Sequence, residues 1–439
     1  MKAAPKQKFQ SAASSGRKTR REGVRTAGEV FEDGSMIEPV CSGDQGLELL
    51  LWKNQQISVA LQIDHHGRRY LPPELTPSLR RIMRFPRSAT RFGSSSELLG
   101  NVSQLFKTYV GFSEAQIPLA TAWVFSTWFP ECWSRAPELV ITGWNMDTAM
   151  VLFRLLACLT RHPLMLAGIQ RATLGFLPMH VNPTLLINQP DISPRILEFW
   201  QTANYRDVVV PGPRGDVRAI AGSKAVFLAT SGSGYGGFPF RICLPAAQSR
   251  SSLLTDFAAC HIAEEFQPKL LMYRLRHFRR VRDAQTSPTT SRLPGAHLAP
   301  LSACIQDDDK FQSRVGAIVA DEEQEVRAER SRKPEIAIVE VLWAPSHSSK
   351  EVKVKEITRL MNTLIWTRGE KLEYGEIEIG QILASCGLPR HRNGAGMVLR
   401  FSREISRRLH ELAIEFGLTA EHKPGCEFCA GFQAADKVV

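Results

Sequence analysis

The stretch ELVITGWNMDT at residues 138–148 decides the fold class, because it joins a strand pattern to the start of a helix. Its first part, ELVIT, lacks the regular alternation of polar and apolar residues that marks a half-exposed strand. Such runs are typical of strands that helices cover on both faces. A polar turn follows, and residues 149–159 have helical spacing of apolar side chains. The stretch therefore predicts one strand, turn and helix of a β/α fold.

Three more buried strands are predicted after this unit. They are PTLLI at 183–187, KAVFLAT at 224–230 and FRICL at 240–244. A helix is predicted at 194–202. Strands that alternate with helices form parallel sheets with right-handed connections. We therefore predict an α/β protein built on a doubly wound, mostly parallel sheet.

The chain has 439 residues, whereas single cores stop growing at about 250–300 residues. Changes in composition predict several segments, with the sheet in the third of them. In chain order these are a disordered basic arm (1–27), a small N-terminal domain (28–100), a P-loop-like α/β core (101–283), a linker (284–300), a charged helical segment (301–333), a helical winged-helix-like module (334–420) and a flexible tail (421–439).

The formal net charge is +11, and +7 of it lies in residues 1–25, where eight Lys and Arg residues accompany one Glu. The rest of the chain is therefore close to neutral. The longest apolar run, 117–129, is shorter than the roughly 20 residues that span a bilayer. Nine scattered cysteines are typical of a reducing compartment. We predict a cytoplasmic protein without a membrane partner.

A nucleotide-binding P-loop lies between a buried strand and a helix and has the pattern G-x-x-x-x-G-K-[ST]. This chain has Gly143 and Thr148 at that place, with four residues between them where the pattern has six. The second glycine and the lysine are missing. If Thr148 keeps the hydroxyl position, Asp147 stands where the lysine should be. An anion there repels phosphates, so the pattern predicts a degenerate nucleotide site.

The second half of such a site is an apolar strand that ends in Asp-Glu. Here the strand LLI ends in Asn188 and Gln189, so amides replace both carboxylates. An amide oxygen is a weaker ligand for Mg²⁺ than a carboxylate, and glutamine is no general base. The strand end therefore predicts that hydrolysis is lost.

The order of these elements resembles the P-loop ATPase-like proteins of bacteria, plasmids and phages, of the helicase- or primase-associated type. The similarity covers about residues 105–283 and includes GWNMDT, LLINQPD, VFLAT and a basic segment at 266–282. In that family the Asp-Glu pair binds Mg²⁺ and polarises water, and the resemblance implies that this activity does not carry over. Asp191 matches the trailing aspartate of the family. The alternative is that these are ordinary strand ends of another α/β fold.

Two groups of arginines are candidates for nucleic-acid binding. One lies on the segment 266–282, which also carries an apolar stripe. The other surrounds a predicted β-ribbon in the C-terminal module, whose order of elements is similar to a winged helix. The candidates are Arg279, Arg280, Arg390, Arg392, Arg400, Arg403, Arg407 and Arg408. The alternatives are a docked surface helix and a winged helix that binds protein.

His422, Cys426 and Cys429 form the pattern H-x₃-C-x₂-C near the C-terminus. Two cysteines at this spacing can bind one Zn²⁺, but a structural zinc site has four ligands, and the sequence offers no fourth ligand nearby. We therefore predict free thiols and no metal site.

Together these patterns predict a pseudo-ATPase without catalytic residues or cofactor. We expect it to act in bacterial or mobile-element DNA metabolism, as a DNA-binding or assembly component. DNA is the predicted partner, with a homo-oligomer or an active ATPase subunit as further candidates. The alternative from the enzyme class is a weak ATPase or helicase-type motor with a nonstandard nucleotide site.

Overall fold

The computed structural model describes residues 23–43, 46–170, 176–190, 200, 202–211, 217–229, 240–244, 253–286, 299–318, 320, 333–369, 372–394, 396–416, 418, 423 and 425–429. The predicted basic arm, apart from residues 23–27, lies outside these ranges. So does almost all of the predicted helix at 194–202. No helix in the described ranges is long and apolar enough to cross a membrane.

Two small sheets form the N-terminal part. One is antiparallel with the strand order β2-β3-β4-β5, and the other has the order β1-β7-β6. The side chains of Met36, Val40 and Leu50 from the first sheet pack into the same hydrophobic core as the helices that follow. The strands are β1 (Val24–Arg25), β2 (Glu29–Val30), β3 (Met36–Cys41), β4 (Leu47–Lys53), β5 (Gln56–Ala60), β6 (Ile63–His65) and β7 (Arg68–Leu71).

A five-stranded sheet forms the centre of the α/β part. All four strand pairs are parallel, and the order is β14-β8-β13-β10-β9. The predicted parallel sheet is thus confirmed. A short antiparallel hairpin, β11 (Val209–Pro211) and β12 (Val217–Ala219), lies outside it. The sheet strands are β8 (Glu138–Thr142), β9 (Pro163–Leu166), β10 (Thr184–Asn188), β13 (Lys224–Leu228) and β14 (Arg241–Cys243).

Burial on both faces explains why these strands lack polar alternation. On β8, Leu139 and Ile141 belong to one hydrophobic cluster, while Val140 belongs to a second. On β13, Phe227 faces the first cluster and Val226 the second. Alternate side chains of a strand point to opposite faces, so both faces are covered. The predicted α/β class is confirmed at this level.

Helices cover the first face of the sheet. The most apolar is α3, in which every residue is buried, so it is a core helix without a polar side. A further stretch, 309–318, is helical. The helices of this part are α1 (Pro77–Ile82), α2 (Ser95–Tyr109), α3 (Ile117–Ser126), α4 (Met146–Leu159), α5 (Asp256–Thr286) and α6 (Ala299–Ala303).

Two of the predicted boundaries differ from the structure. The helix predicted at 149–159 begins at Met146, because Asn145 caps it. The basic helix predicted at 266–282 extends over 256–286 and contains Pro268. Its C-terminal end overlaps the start of the predicted linker, and residues 287–298 lie outside the described ranges.

The C-terminal part has its own hydrophobic core. Its elements follow in the order helix, strand, helix, helix, strand, strand, helix, and the three strands pair antiparallel in the order β15-β17-β16. The sequence predicted the ribbon but not the strand β15, which has only three residues. The elements are α7 (Pro334–Ser348), β15 (Glu351–Lys353), α8 (Val354–Thr367), α9 (Glu376–Ser385), β16 (His391–Asn393), β17 (Gly396–Arg400) and α10 (Arg403–Phe416).

A buried network of four charged residues joins the N-terminal sheet to the α/β part. Glu38 of β3 accepts hydrogen bonds from Arg161 Nη2 at 3.0 Å and from Arg274 Nε at 2.8 Å. Arg274, on α5, also donates to both carboxylate oxygens of Glu131, at 2.8 and 3.0 Å. The side chains of Glu38, Arg161 and Arg274 are at most 2% exposed. These three charges are buried, so each depends on its partners, and Glu131 is the one partly exposed member of the network.

We expect Glu38→Gln to lower the free energy of unfolding by about 3–5 kcal/mol, because it leaves the buried Arg161 without its nearest carboxylate and leaves Glu131 as the one carboxylate for both arginines. Chemical denaturation of the full chain measures this. The matched control is Glu356→Gln, which breaks an exposed pair with Arg359 and should leave the unfolding midpoint unchanged. Equal effects of the two substitutions would contradict the assignment.

Candidate functional site

A three-residue turn links strand β8 to helix α4. Only Gly143, Trp144 and Asn145 separate the last residue of the strand from the first residue of the helix. Gly143 has φ +154°, and a Cβ there would lie 2.9 Å from Cβ of Leu244. Its N–H donates to the carbonyl oxygen of Leu228 at 3.3 Å. The turn is therefore short and closely packed, and it requires glycine at its first position.

The first turn of α4 is capped by the chain itself. Oδ1 of Asn145 accepts a hydrogen bond from the backbone N–H of Thr148 at 3.0 Å. Asp147 is exposed in the same turn, where its negative charge interacts favourably with the helix dipole. Trp144 extends into solvent from the turn. The N-terminus of the helix thus already has a capping side chain and an anion.

The end of β10 lies beside the first turns of α4. Nδ2 of Asn188 lies 3.3 Å from Sδ of Met146 and 3.8 Å from Sδ of Met150. These methionines flank Thr148 on α4. In the described ranges, Oγ1 of Thr148 and Oδ1 of Asn188 are buried and have no hydrogen-bond partner. Two of the predicted site residues are therefore brought to one edge of the sheet, in surroundings that include thioethers.

Gln189 has a structural contact. The side-chain Oε1 of Gln189 accepts a hydrogen bond from the backbone N–H of Ile169 at 2.8 Å. The backbone N–H of Gln189 donates to the carbonyl oxygen of Phe227. The side chain thus joins the end of β10 to the segment after β9. Asp191, the remaining predicted residue of this site, lies outside the described ranges.

The strand order places a topological switch beside this turn. The connection that follows β8 leads to β9 at one edge of the sheet, whereas the connection that follows β13 leads to β14 at the opposite edge. The two neighbouring strands β8 and β13 are thus followed by connections that run in opposite directions, which is what a topological switch means. Ligands of open α/β sheets bind at such a switch, beyond the carboxyl ends of the strands. The turn at 143–145 and the end of β10 occupy this place, which makes it the candidate nucleotide site.

A buried lysine of the sheet lies at the opposite end. Lys224 begins β13 and is in register with Glu138, which begins β8. Nζ of Lys224 donates to the carbonyl of Gly222 at 3.0 Å and to Oδ1 of Asn204. Burial raises the pKa of Glu138 to about 7 and lowers the pKa of Lys224 to about 8. This lysine is at the amino ends of the strands, so it cannot replace the missing P-loop lysine.

Arg279 lines a groove between the N-terminal sheet and α5. The groove has a volume of 840 Å³, and Lys53, Arg91 and Arg276 also line it. All four cations are exposed, and Asp33 is the one acidic side chain in the lining. Arg279 donates a hydrogen bond to the backbone carbonyl oxygen of Asp33. A carbonyl group has no net charge, so this bond does not neutralise the guanidinium. The half-buried ring of Trp52 contributes aromatic surface, whereas Phe278 is buried beneath the groove.

Arg280 and Arg274 of the same helix are held in ion pairs with other parts of the protein, the first at the surface and the second in the interior. Arg280 pairs with Asp307, which also accepts a hydrogen bond from Ser95 at 2.7 Å. Arg274 is fully buried in the network with Glu38. The basic helix therefore divides its arginines between internal ion pairs and the groove.

The C-terminal arginines also fall into two groups. Arg400, Arg403, Arg407 and Arg408 each have a glutamate within 4.0 Å, and Arg403 makes a two-point contact with Glu427. Arg390 and Arg392 lie at the β16–β17 ribbon, are exposed, and have no acidic partner in the described ranges. The ribbon end therefore carries the uncompensated charge of this surface.

The two cysteines of the C-terminal pattern contact histidines that sequence spacing did not identify. Cys426 and Cys429 lie beside His347 and His410, and His422 falls outside the described ranges. The two histidines are 63 residues apart in the sequence, on α7 and α10. The fold therefore places His347 and His410 where they could complete a set of four metal ligands. This bears on the prediction of free thiols.

Comparisons with known proteins give weak structural likeness only. No protein-family model and no curated protein sequence matches the chain. Among solved structures, the apo C-terminal region of NrS-1 shares 9% identity over 83% of this chain and 95% of that chain, with a TM-score of 0.34. The SCCmec type IV Cch active helicase shares 11% identity over 82% and 79% of the two chains, with a TM-score of 0.36. Drosophila ORC bound to DNA shares 12% over 77% and 96%, with a TM-score of 0.19. These values assign the chain to no family.

We expect Asn188→Leu to leave the free energy of unfolding unchanged or to raise it, because leucine removes a buried acceptor that lacks a partner. Asn188→Asp should lower it by more than about 1 kcal/mol, because a carboxylate is buried there without compensation. Chemical denaturation with and without Mg²⁺ measures both. If Mg²⁺ restored the stability of the aspartate variant, the site would still have the geometry of a metal site.

Proposed function

We propose that this chain is a P-loop-like α/β protein that does not hydrolyse nucleotides and acts as a DNA-binding or assembly component. The observation that carries this proposal is the three-residue turn at the carboxyl edge of the sheet. Its residues 143–145 are followed directly by a capped helix. The proposal has two parts, the loss of nucleotide hydrolysis and the binding of DNA by exposed cationic surfaces.

The turn is too short to surround a phosphate chain. A P-loop offers several consecutive backbone N–H groups from a glycine-rich loop and the following helix. Here the N–H of Gly143 is bonded to Leu228, and the N–H of Thr148 is bonded to Asn145. Both donors are used inside the protein, which supports the view that no triphosphate is held there.

Charge at the turn also opposes phosphate binding. Asp147 lies in the first helical turn, where a P-loop has its lysine. Two like unit charges 4 Å apart repel by roughly 1–4 kcal/mol between bulk water and a protein surface. The helix dipole that would attract a phosphate already interacts with this carboxylate. A bound nucleotide would have to overcome this repulsion.

At the end of β10, amides stand where the Asp-Glu pair of a P-loop ATPase would bind Mg²⁺ and orient water. Asn188 contacts two methionines, and Gln189 holds the backbone N–H of Ile169. Neither amide can act as a general base, because an amide takes up no proton near neutral pH. These contacts favour a structural role for both residues.

We expect the full chain to show no saturable binding of ATP with Mg²⁺ and no phosphate release above background. Isothermal titration and a phosphate-release assay measure these two quantities. The matched variant is Thr148→Ala, which removes the one hydroxyl that could hold Mg²⁺. If the wild-type chain and Thr148→Ala release phosphate at the same rate, a contaminating enzyme is responsible. Micromolar affinity, with release that Thr148→Ala abolishes, would overturn the proposal and support the weak ATPase.

DNA binding is proposed for the groove beside α5. Its four exposed cations can contact successive phosphates, and the half-buried ring of Trp52 offers a surface on which a base can stack. Arg276 already stacks over the ring of Phe92, at 5.4 Å from the ring centroid. Phosphate contacts provide affinity without sequence recognition, so the proposed binding is nonspecific.

The C-terminal unit supplies a second contact in this proposal. Its order of helices and strands fits a winged helix, in which the third helix normally enters the major groove. On α9, however, the exposed side includes Glu376, Ile377 and Glu378 and no Lys or Arg. The cations lie at Arg390 and Arg392, beside the ribbon. We therefore assign phosphate contact to the ribbon and not to the helix.

We expect Arg276→Ala with Arg279→Ala, and separately Arg390→Ala with Arg392→Ala, to weaken DNA binding. Each pair should reduce the slope of log affinity against log salt by about 2, because each removes two phosphate contacts. Fluorescence anisotropy with a labelled duplex at several salt concentrations measures the slope. The matched control, Arg403→Ala with Arg407→Ala, removes the same charge from residues already paired with glutamates. A loss confined to the control, or no binding at all, would contradict the proposal.

A further inference from the structure

Four metal-binding side chains converge in the C-terminal part. They come from the last turn of α7, from α10 and from the segment after it. Their ligand atoms all lie within 4.8 Å of one another. The set is His347, His410, Cys426 and Cys429, which supplies two imidazole nitrogens and two sulfurs. Two His and two Cys are a common ligand set for structural zinc.

The distances between these atoms fit the edges of a coordination tetrahedron. Zinc bonds of about 2.0–2.1 Å to nitrogen and 2.3 Å to sulfur give edges of roughly 3.3 Å between nitrogens and 3.6 Å between nitrogen and sulfur. Nε2 of His347 lies 3.1 Å from Nε2 of His410 and 3.3 Å from Sγ of Cys429. Nε2 of His410 lies 3.4 Å from Sγ of Cys429 and 3.5 Å from Sγ of Cys426.

Both imidazoles are oriented by hydrogen bonds at their other nitrogen. Nδ1 of His347 donates to the carbonyl oxygen of Trp343 at 2.8 Å, and Nδ1 of His410 donates to that of Ser406 at 2.7 Å. Each ring therefore turns the lone pair of Nε2 toward the cluster. This outer contact is the usual support of a zinc-bound histidine. Two facing lone pairs 3.1 Å apart repel each other, and a cation between them removes the repulsion.

The surroundings fit a closed structural site. Cys429 and His410 are each 3% exposed, and Trp343 and Phe428 lie against the ring of His410. Gly425, with φ +90°, allows the turn that presents the two cysteines. Four protein ligands leave no position for water or substrate, so a metal here serves the fold and not catalysis.

We propose that His347, His410, Cys426 and Cys429 bind one Zn²⁺, which fixes the segment after α10 to the first and last helices of the C-terminal unit. This site is independent of the proposed nucleotide and DNA surfaces. It replaces the earlier expectation of free thiols, because His347 and His410 supply the ligands that sequence proximity did not. Zinc binding also makes the fold of this unit depend on metal.

The test is the metal content and metal-binding spectrum of the full chain, purified without chelator. We expect one zinc per chain by mass spectrometry of the metal. After removal, Co²⁺ should give the absorption of a tetrahedral site with two sulfur ligands. Cys426→Ala and His347→Gln should each lose most of the bound zinc, whereas Cys260→Ala and His391→Gln, which lie outside the cluster, should keep it.

If a variant fails to fold, measurements on the wild-type protein alone still test the proposal. Chelator should speed the reaction of Cys426 and Cys429 with a thiol reagent and lower the melting temperature, and added Zn²⁺ should reverse both effects. A chain without zinc whose thiols react equally fast with and without chelator would overturn the proposal. A disulfide between Cys426 and Cys429 in freshly purified protein would overturn it as well.

Discussion

The carboxylate of Glu38 holds two arginines in the interior, and the position of the whole helical face depends on that contact. Through Arg274 it fixes α5, and through Arg161 it fixes the segment between α4 and β9. α5 packs along α4, whose first turn forms the candidate site. Burial of the three charges of Glu38, Arg161 and Arg274 is costly unless their partners are present, so these contacts favour the observed arrangement of the elements. The N-terminal sheet, which supplies Glu38, is therefore part of the architecture that positions the edge of the central sheet.

At that edge the hydrogen-bonding groups and the helix dipole interact with residues of the protein itself. An asparagine caps the helix, an aspartate meets its dipole, and the amides at the end of β10 contact methionines and a backbone N–H. Each contact is ordinary by itself. Together they leave a short, closely packed turn at the place where open α/β sheets bind ligands. The remaining uncompensated cations lie elsewhere, in the groove beside α5 and at the ribbon of the C-terminal unit.

The sequence predicted four of the five strands of the sheet, because apolar runs such as ELVIT report burial on both faces directly. It missed the edge strand β9, which has only four residues and begins with a proline. It also placed Thr148 and Asn188 after strands of one sheet, and the structure brings Asn188 to Met146 and Met150, which flank Thr148 on α4. The sequence could not show that Arg274, and not one of its neighbours on α5, is the arginine that pairs with Glu38. Position along a helix does not reveal which arginine meets a carboxylate from a distant segment. The proposed zinc ligands His347 and His410 were missed for the same reason: contacts between distant segments leave no local pattern. Only the Cys-x₂-Cys spacing was visible.

The central claim is that the edge of the sheet is closed to triphosphates. Hydrogen–deuterium exchange of the full chain, with and without millimolar ATP and Mg²⁺, tests this at the residues concerned. The account predicts identical exchange at residues 143–148 and 188–189 in both conditions, since no ligand reaches their amides. Slower exchange of those amides with nucleotide present would contradict it.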